Sequence, residues 1–203
     1  MTTDHGALAG DHRKLPRRRG EALHTAILEA TLAELAEVGY AKLTMERVAE
    51  RAKASKASLY RRWSSRMELA VEAVYHAMPD PAAAPNTDSL RGDLLATLRA
   101  GAELLAGPTG EAMRGLLSDT LGDPGRTAEL RRYSQGTGRA AMREIVRRAV
   151  ARGEIDDTAV TPRRLDVPRA MLRQEFLFQG VPIPDQVLVE IVDEVLLPLL
   201  RAG

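Results

Sequence analysis

The stretch from Thr44 to Trp63, TMERVAERAKASKASLYRRW, decides the fold that this sequence predicts. Thr44 is an N-cap candidate, and the apolar residues that follow it at helical spacing predict a short helix over residues 45–52. Only two residues separate this helix from Ser55, a second N-cap candidate, which opens a helix over residues 56–63. Two short helices joined by so tight a turn form the supersecondary unit that reads DNA.

The first turns of the second helix carry the side chains that we expect in the major groove, where residues must be small or able to form hydrogen bonds. Leu59 and Trp63 are four residues apart, so we expect both to pack inward. An ordinary pair of amphipathic helices with a solvated basic edge would show the same spacing. The residues predicted to contact DNA are Thr44, Ser55, Lys56, Ala57, Ser58, Tyr60 and Arg61.

The stretch resembles the TetR family of bacterial repressors, in which Thr-x-x-x-(Ile/Val)-Ala-x-x-Ala is followed by Ser-x-x-x-Leu-Tyr-x-(His/Arg)-(Phe/Trp). The resemblance extends over residues 27–74. One departure is Lys53, because the family usually has glycine in this turn; a left-handed backbone there costs lysine roughly 1 kcal/mol. The matching residues are Thr44, Val48, Ala49, Ala52, Ser55, Leu59, Tyr60, Arg62 and Trp63.

The resemblance implies an all-α chain with an N-terminal three-helix helix-turn-helix domain and a C-terminal helical domain that dimerises and holds a ligand. The implied partners are double-stranded DNA with a palindromic operator, a second copy of the chain and a small effector. Because only 3% of the residues are aromatic, few side chains can stack on a base, which favours an apolar effector over a phosphate-rich one. The implied function is repression released by that effector, although an activator would use the same DNA-binding unit.

Composition divides the chain into three parts. Residues 1–19 are predicted to form a flexible basic arm, residues 20–78 the DNA-binding domain, and residues 79–203 the regulatory and dimerisation domain. The proline-rich stretch PDPAAAPNTD, residues 79–88, marks the boundary between the two domains. In the arm, Arg17, Arg18 and Arg19 are predicted to follow phosphates or enter the minor groove; a solvated tail is the alternative.

Charge is divided unevenly along the chain. Residues 1–66 contain 13 Lys and Arg against 8 Asp and Glu, whereas residues 67–203 contain 16 against 20. The net charge of +1 therefore conceals a basic N-terminal part, as expected of a nucleic-acid-binding domain joined to a module that does not bind DNA.

Further helices are predicted from periodicity on both sides of this unit. A first helix over residues 21–38 ends at Gly39, and a fourth begins after Ser64 and Ser65 and extends to about residue 78. Arg66 begins that fourth helix and is predicted to contact phosphate. The C-terminal helices are expected at about 87–105, 111–121, 126–152, 162–179 and 184–200, with Thr87 or Asp88 capping the first and a bend at Gly136 and Gly138 in the third.

Two sites are predicted in the C-terminal module. The last helix has a wide apolar face, so we expect Val192 and Leu196 to meet a second copy of the chain. An effector that wedges between helices would displace the fourth helix and change the separation of the two reading helices in a dimer. The residues predicted to surround the effector are Met78, Met113, Leu117, Tyr133 and Met142.

Several functional classes find no support in this sequence. Cysteine is absent, the four histidines show no metal-ligand spacing, and no catalytic or nucleotide-binding motif occurs, so we expect no enzyme, metal or cofactor. No apolar run is long enough for a membrane span and no secretory signal is present, which predicts a cytoplasmic protein. A helical protein-interaction module that uses the basic face is the main alternative; an architectural DNA protein would leave the C-terminal module without a task.

Overall fold

The structure is a computed structural model that describes residues 20–78, 84–134 and 139–202, and these residues are helical without any strand. No helix in these ranges is long and apolar enough to cross a membrane. The last helix, α10, runs without a break through Asp185–Glu190, a π-helical segment at Ile191–Leu196, and Leu197–Arg201. The preceding helices are α1 (Glu21–Lys42), α2 (Met45–Arg51), α3 (Lys56–Tyr60), α4 (Arg66–His76), α5 (Leu90–Ala106), α6 (Pro108–Leu121), α7 (Pro124–Ser134), α8 (Arg139–Ala151) and α9 (Pro162–Phe178), with a 3-10 helix at Asp157–Ala159.

Side-chain caps begin three of the N-terminal helices. Thr44 Oγ1 accepts the backbone N–H of Arg47 at 3.2 Å, and Ser55 Oγ accepts that of Ser58 at 3.3 Å. Ser65 Oγ accepts a first-turn N–H of α4 at 3.1 Å. Because each bond satisfies a donor that has no partner within its own helix, these three residues fix where α2, α3 and α4 begin.

Lys53 occupies the left-handed conformation, with a φ of +53°. This conformation brings the N–H of Ala54 to 2.8 Å from the carbonyl oxygen of Ala49 and closes the end of α2. The tight turn between α2 and α3 therefore forms with lysine in place of the family's usual glycine.

The N-terminal core fixes α3 between α1 and α4. Leu59 and Trp63 are 0% and 1% exposed, so the prediction that both pack inward is confirmed. The indole N–H of Trp63 donates to Glu72 of α4 at 2.5 Å, and its ring stacks on His24 of α1 with centroids 5.4 Å apart. These contacts hold α3 rigidly enough to present its opposite face to a duplex.

The C-terminal core is formed by α5, α8, α9 and α10. Val192 and Leu196 are both 0% exposed within their own chain, so the prediction that they contact a second chain is wrong. The apolar stripe of α10 faces α5 and α9, and both side chains fill the space between these helices.

α6 belongs to both modules. Its residues Ala112 and Leu116 are buried in the N-terminal core, although they follow the predicted domain boundary by about thirty residues. A Cβ on Gly115 would lie 3.3 Å from the Cα of Gly39, where α1 kinks with a φ of +74°. The two modules therefore meet at a close contact between backbones.

Several predicted helices differ from the structure in their bounds: α1 continues through a kink at Gly39 to Lys42, and α3 ends at Tyr60 and not at residue 63. Within the helix expected over residues 126–152, the structure describes α7 up to Ser134 and α8 from Arg139, and residues 135–138 lie outside the described ranges. The N-cap of α5 is Ser89, whose hydroxyl accepts the Gly92 N–H at 3.0 Å. Thr87 does not cap this helix, and its N–H and hydroxyl both donate to Asp93 Oδ1.

Three predicted features lie outside the described residues. They are the basic arm with Arg17, Arg18 and Arg19, the start of the proline-rich boundary at residues 79–83, and the glycines at positions 136 and 138.

Candidate nucleic-acid interface and ligand cavity

The exposed face of α3 is the candidate surface for reading DNA. Leu59 and Trp63 take the buried face, so most of the remaining side chains project to solvent, and Tyr60 is 55% exposed. Side chains on such a face reach base edges or phosphates once the helix lies in the major groove. The predicted contact residues that are exposed here are Ser55, Lys56, Ala57, Tyr60 and Arg61.

Ser58 is placed differently from the prediction. It is 8% exposed, and its hydroxyl oxygen lies 2.8 Å from that of Ser55. Because Ser58 lies one turn after Ser55, its side chain contacts this residue, which caps the helix. This burial and the contact with Ser55 argue against the predicted contact between Ser58 and DNA.

Lys56 faces an acidic neighbour across the turn. Its Nζ lies 3.0 Å from Oε1 of Glu46 on α2, and both side chains are more than half exposed. The hydrogen bond from Lys56 holds the pKa of Glu46 below its usual value. Since solvent screens such a surface pair, it contributes little stability, and a base edge or a phosphate can replace Glu46.

Thr44 and Arg66 lie at the junction of α1 and α2. The Thr44 hydroxyl accepts its cap bond, so its own proton can still be donated to another group. Arg66 NH1 donates to the carbonyl oxygen of Leu43 at 3.0 Å, and its guanidinium lies 4.6 Å from the centre of the Tyr40 ring. Arg66 therefore positions the segment that carries Thr44, a role that sequence spacing did not suggest.

Glu34 fastens α2 to α1. Its side chain is 4% exposed and accepts Nε–H bonds from Arg47 at 2.7 Å and from Arg51 at 2.6 Å. Burial alone raises the pKa of Glu34, but the hydrogen bonds and charges of the two arginines outweigh it and hold this pKa below its usual value. Sequence reasoning missed this anchor, although two arginines four residues apart on α2 were the available signal.

A cavity of about 680 Å³ lies between α4, α5, α6, α7, the start of α8 and α9. This volume is within the range of pockets that hold small ligands. Met78, Met113 and Leu117, three of the residues predicted to surround an effector, line it together. The other apolar lining residues are Val71, Val74, Leu105, Leu116, Leu121, Leu130, Leu172 and Leu177.

Tyr133 and Met142 do not line this cavity, so their predicted place in the pocket is corrected. The Tyr133 hydroxyl lies 3.1 Å from that of Ser64 and ties α7 to the start of α4. Met142 is 5% exposed and belongs to the C-terminal core. Both residues have helical spacing suited to a pocket, but Tyr133 packs against the N-terminal core and Met142 lies in the C-terminal core.

Arginines border the cavity, and the sequence did not predict them there. None of the described lining residues is an aspartate or glutamate. Among the described residues, no cluster of three His, Cys, Asp or Glu is arranged to hold a metal ion. The arginines are Arg131, Arg139, Arg163, Arg169 and Arg173.

Comparisons with known proteins match both modules. Residues 27–73 match the model described as "Bacterial regulatory proteins, tetR family", and residues 84–195 match "Tetracyclin repressor-like, C-terminal domain". The "DNA-binding transcriptional repressor TetR" of Mycobacteroides abscessus is 36% identical over 194 residues, which cover 91% of this chain and 97% of that protein. An uncharacterized HTH-type transcriptional regulator of Mycobacterium bovis is 34% identical over 179 residues, 87% of each chain. The crystal structure of a TetR family transcription regulator has a TM-score of 0.69 at 29% identity and covers 86% of this chain and 96% of its own.

These matches confirm the predicted all-α fold, the helix-turn-helix domain and the role in transcription regulation. They decide against the alternative of a protein-interaction module without DNA binding. Regulators of this kind bind operator DNA as dimers, so duplex DNA and a second copy of the chain are confirmed as partners at the level of the family. The chain belongs to the TetR family of bacterial helix-turn-helix transcriptional regulators.

Proposed function

We propose that this regulator is a homodimeric repressor that leaves a palindromic operator when a small ligand fills the cavity of about 680 Å³. It acts by binding and not by catalysing a reaction. It works in the cytoplasm of its cell, where its DNA partner is found. The repressor from Mycobacteroides abscessus, which shares 36% of its residues with this chain, supports the direction of regulation.

One observation carries this proposal: the helices that line the cavity are the helices that hold the reading domain in place. Val71 and Val74 belong to α4, which begins shortly after the helix-turn-helix, and Met78 lies just beyond its end. Leu116 of α6 lines the cavity and is also buried in the N-terminal core. A ligand in this space therefore contacts α4, which supports α3 directly, and α6, which packs into the same N-terminal core.

Release from the operator requires that the ligand bind two conformations of the regulator with different affinities. A ligand shifts the balance between two conformations only by as much as it prefers one of them. In a two-fold dimer the reading helices must match half-sites about one helical turn, roughly 34 Å, apart. A ligand that favours a displaced α4 therefore lowers operator affinity by changing this separation.

The contacts with DNA are assigned by position. We place Lys56, with Ser55 and Ala57, at base edges, because they lie in the first turn of α3. We place Thr44, Tyr60 and Arg61 at phosphates, which fix the register without carrying sequence information. The basic arm, with Arg17, Arg18 and Arg19, adds further phosphate or minor-groove contacts.

We assign the dimer contact to the end of α9, in place of Val192 and Leu196. Phe178 there is 72% exposed and Val181, just beyond it, is 37% exposed. Exposed aromatic anchors of this kind dominate the binding energy of protein interfaces. A second copy of the chain would cover both side chains.

The test begins with an operator selected from random duplexes, whose affinity is measured by fluorescence anisotropy with and without candidate compounds. A compound that acts through the cavity must bind the operator-bound dimer more weakly, by the same factor that it weakens DNA binding. Leu117→Trp fills part of the cavity and should abolish this response while preserving operator binding. Equal release from wild type and Leu117→Trp, with equal affinity for free and DNA-bound dimer, would refute the proposal.

A further inference from the structure

The cavity carries an unbalanced positive charge. Five arginines border it, and within the part of the chain that the structure describes no carboxylate does. Low-dielectric walls lined with one sign of charge concentrate the field and attract ions of the opposite sign. The interior beneath these arginines is made of leucine, methionine and valine side chains.

Several arginines elsewhere in the same module are paired with carboxylates, whereas Arg114, Arg132, Arg143 and Arg201 form no such pair among the described residues. Within residues 84–134 and 139–202, Arg131, Arg163 and Arg173 form no such ion pair. Asp166, which lies on α9 with two of them, is held by Arg139 through two bonds of 2.6 Å. The paired arginines outside the cavity include Arg91 with Asp193, Arg99 with Asp185, Arg147 with Glu144 and Arg152 with Glu154.

A hydrogen bond across the cavity joins the ligand space to the reading domain. Arg169 of α9 donates through NH1 to the hydroxyl of Tyr75 on α4, at 2.9 Å. A guanidinium can bind a carboxylate through two parallel bonds between opposite charges, whereas Tyr75 offers it a single neutral hydroxyl. An anion that reached Arg169 would therefore compete with Tyr75.

We infer that the effector is an amphipathic anion, with an apolar body among the leucines and one negative group held by the arginines of α9. The anion draws Arg169 away from Tyr75, so α4 loses its bond to α9 and moves. This inference rests on the proposed function, since it names the ligand class of the same cavity. It also revises the expectation of a purely apolar effector.

Calorimetric titration of the full-length dimer with decanoate and with 1-decanol tests the ligand class, because the two probes share one tail and differ in charge. Decanoate should bind about tenfold or more tightly than decanol. Arg163→Gln combined with Arg173→Gln should remove this preference, whereas Arg147→Gln, an exposed change on α8 outside the cavity, should leave it intact. Thermal unfolding confirms that each variant is folded.

Equal affinity of the wild type for both probes would overturn the inference, and so would a preference that survives in the double variant. Neutral compounds that release the operator while decanoate fails to bind would overturn the ligand class and leave the proposed function standing. Decanoate that binds as expected yet leaves operator affinity unchanged would instead support the ligand class and count against the proposed function.

Tyr75→Phe tests the bond itself, since it keeps the aromatic ring and removes only the hydroxyl. Because the anion no longer competes with Tyr75, decanoate should bind this variant more tightly than wild type. The effect of decanoate on operator affinity should be smaller in this variant, because α4 has already lost its bond to Arg169. An unchanged decanoate affinity together with an unchanged effect on DNA would show that Arg169 and Tyr75 do not transmit the signal.

Discussion

The carboxylate of Asp119 accepts a hydrogen bond from the backbone N–H of Ala41 at 2.6 Å. Asp119 lies on α6, whereas Ala41 lies at the end of α1, just before the helix-turn-helix. Oδ2 of the same carboxylate is 3.4 Å from the position that a Cβ on Gly39 would take. The helix α6, which lines the cavity, is therefore hydrogen-bonded to the segment of the DNA-binding domain that leads into α2.

Asp119→Ala should uncouple the cavity from the DNA. Without the carboxylate, α6 loses its polar contact with Ala41, so a ligand that moves α6 moves α1 less. We expect operator affinity to persist and its reduction by ligand to become smaller, as measured by anisotropy. Ser118→Ala is the matched control, because the Ser118 hydroxyl bonds only within its own helix, to Gly115. Equal ligand effects in wild type and Asp119→Ala would show that the signal passes through α4 alone.

Lys56→Ala should reduce sequence preference. A lysine at a base edge contributes about 1–3 kcal/mol on the cognate operator and little on random DNA. Binding to both duplexes at several salt concentrations separates the two contributions. Equal losses of affinity for the operator and for random DNA would show that Lys56 contacts a phosphate and not a base.

Glu46→Gln should act in the opposite direction to Lys56→Ala. It frees Lys56 from its 3.0 Å partner and removes a negative charge that lies beside the reading face. We expect tighter binding to operator and random DNA alike, with a gain that fades as salt is added. Weaker binding to the operator would mean that Glu46 orients Lys56 for its base.

Phe178→Glu should split the dimer. A charge at a buried two-fold contact leaves a desolvated carboxylate on each side, so the dimer dissociates at concentrations where the wild type stays paired. Sedimentation measures this change, and circular dichroism confirms that the monomer is folded. Gln174→Glu, an exposed change one turn earlier on α9, serves as the control. A dimer that survives Phe178→Glu would place the interface elsewhere.

Acid should weaken the N-terminal domain through Glu34. Its pKa in the folded protein lies below the usual value, so its contribution is fully present above about pH 4.3 and is lost as the pH falls through the folded pKa. Glu34→Gln should therefore cost about 1–2 kcal/mol at neutral pH, an amount reduced because solvent reaches both arginines. This difference should shrink towards pH 3.

Urea unfolding followed by the fluorescence of Trp63, the only tryptophan in the sequence, measures this loss. Glu29→Gln, an exposed change on the same helix, is the control. A stability difference between wild type and Glu34→Gln that stays constant with pH would show that Glu34 is not the titrating group.

The helix-turn-helix follows from local information. Thr44 and Ser55 cap helices through bonds that span three residues, and Leu59 and Trp63 share a buried face because they are one turn apart. Such contacts depend on neighbours in the sequence, so periodicity and capping rules predicted them. Lys53 was singled out for the same reason, and it has the expected left-handed backbone.

The location of each C-terminal site depended instead on which helices meet in space. Val192 and Leu196 form an apolar stripe whether a helix packs against its own chain or a partner, and only the position of α5 and α9 decides that they are core. The arginines of the cavity lie far apart in the sequence and gather only because α7, α8 and α9 converge. Local periodicity does not depend on which distant helices pack together. The sequence therefore predicted most of the secondary structure and the DNA-binding unit. The cavity, its positive charge and its link through Asp119 to Ala41 were decided by the tertiary structure.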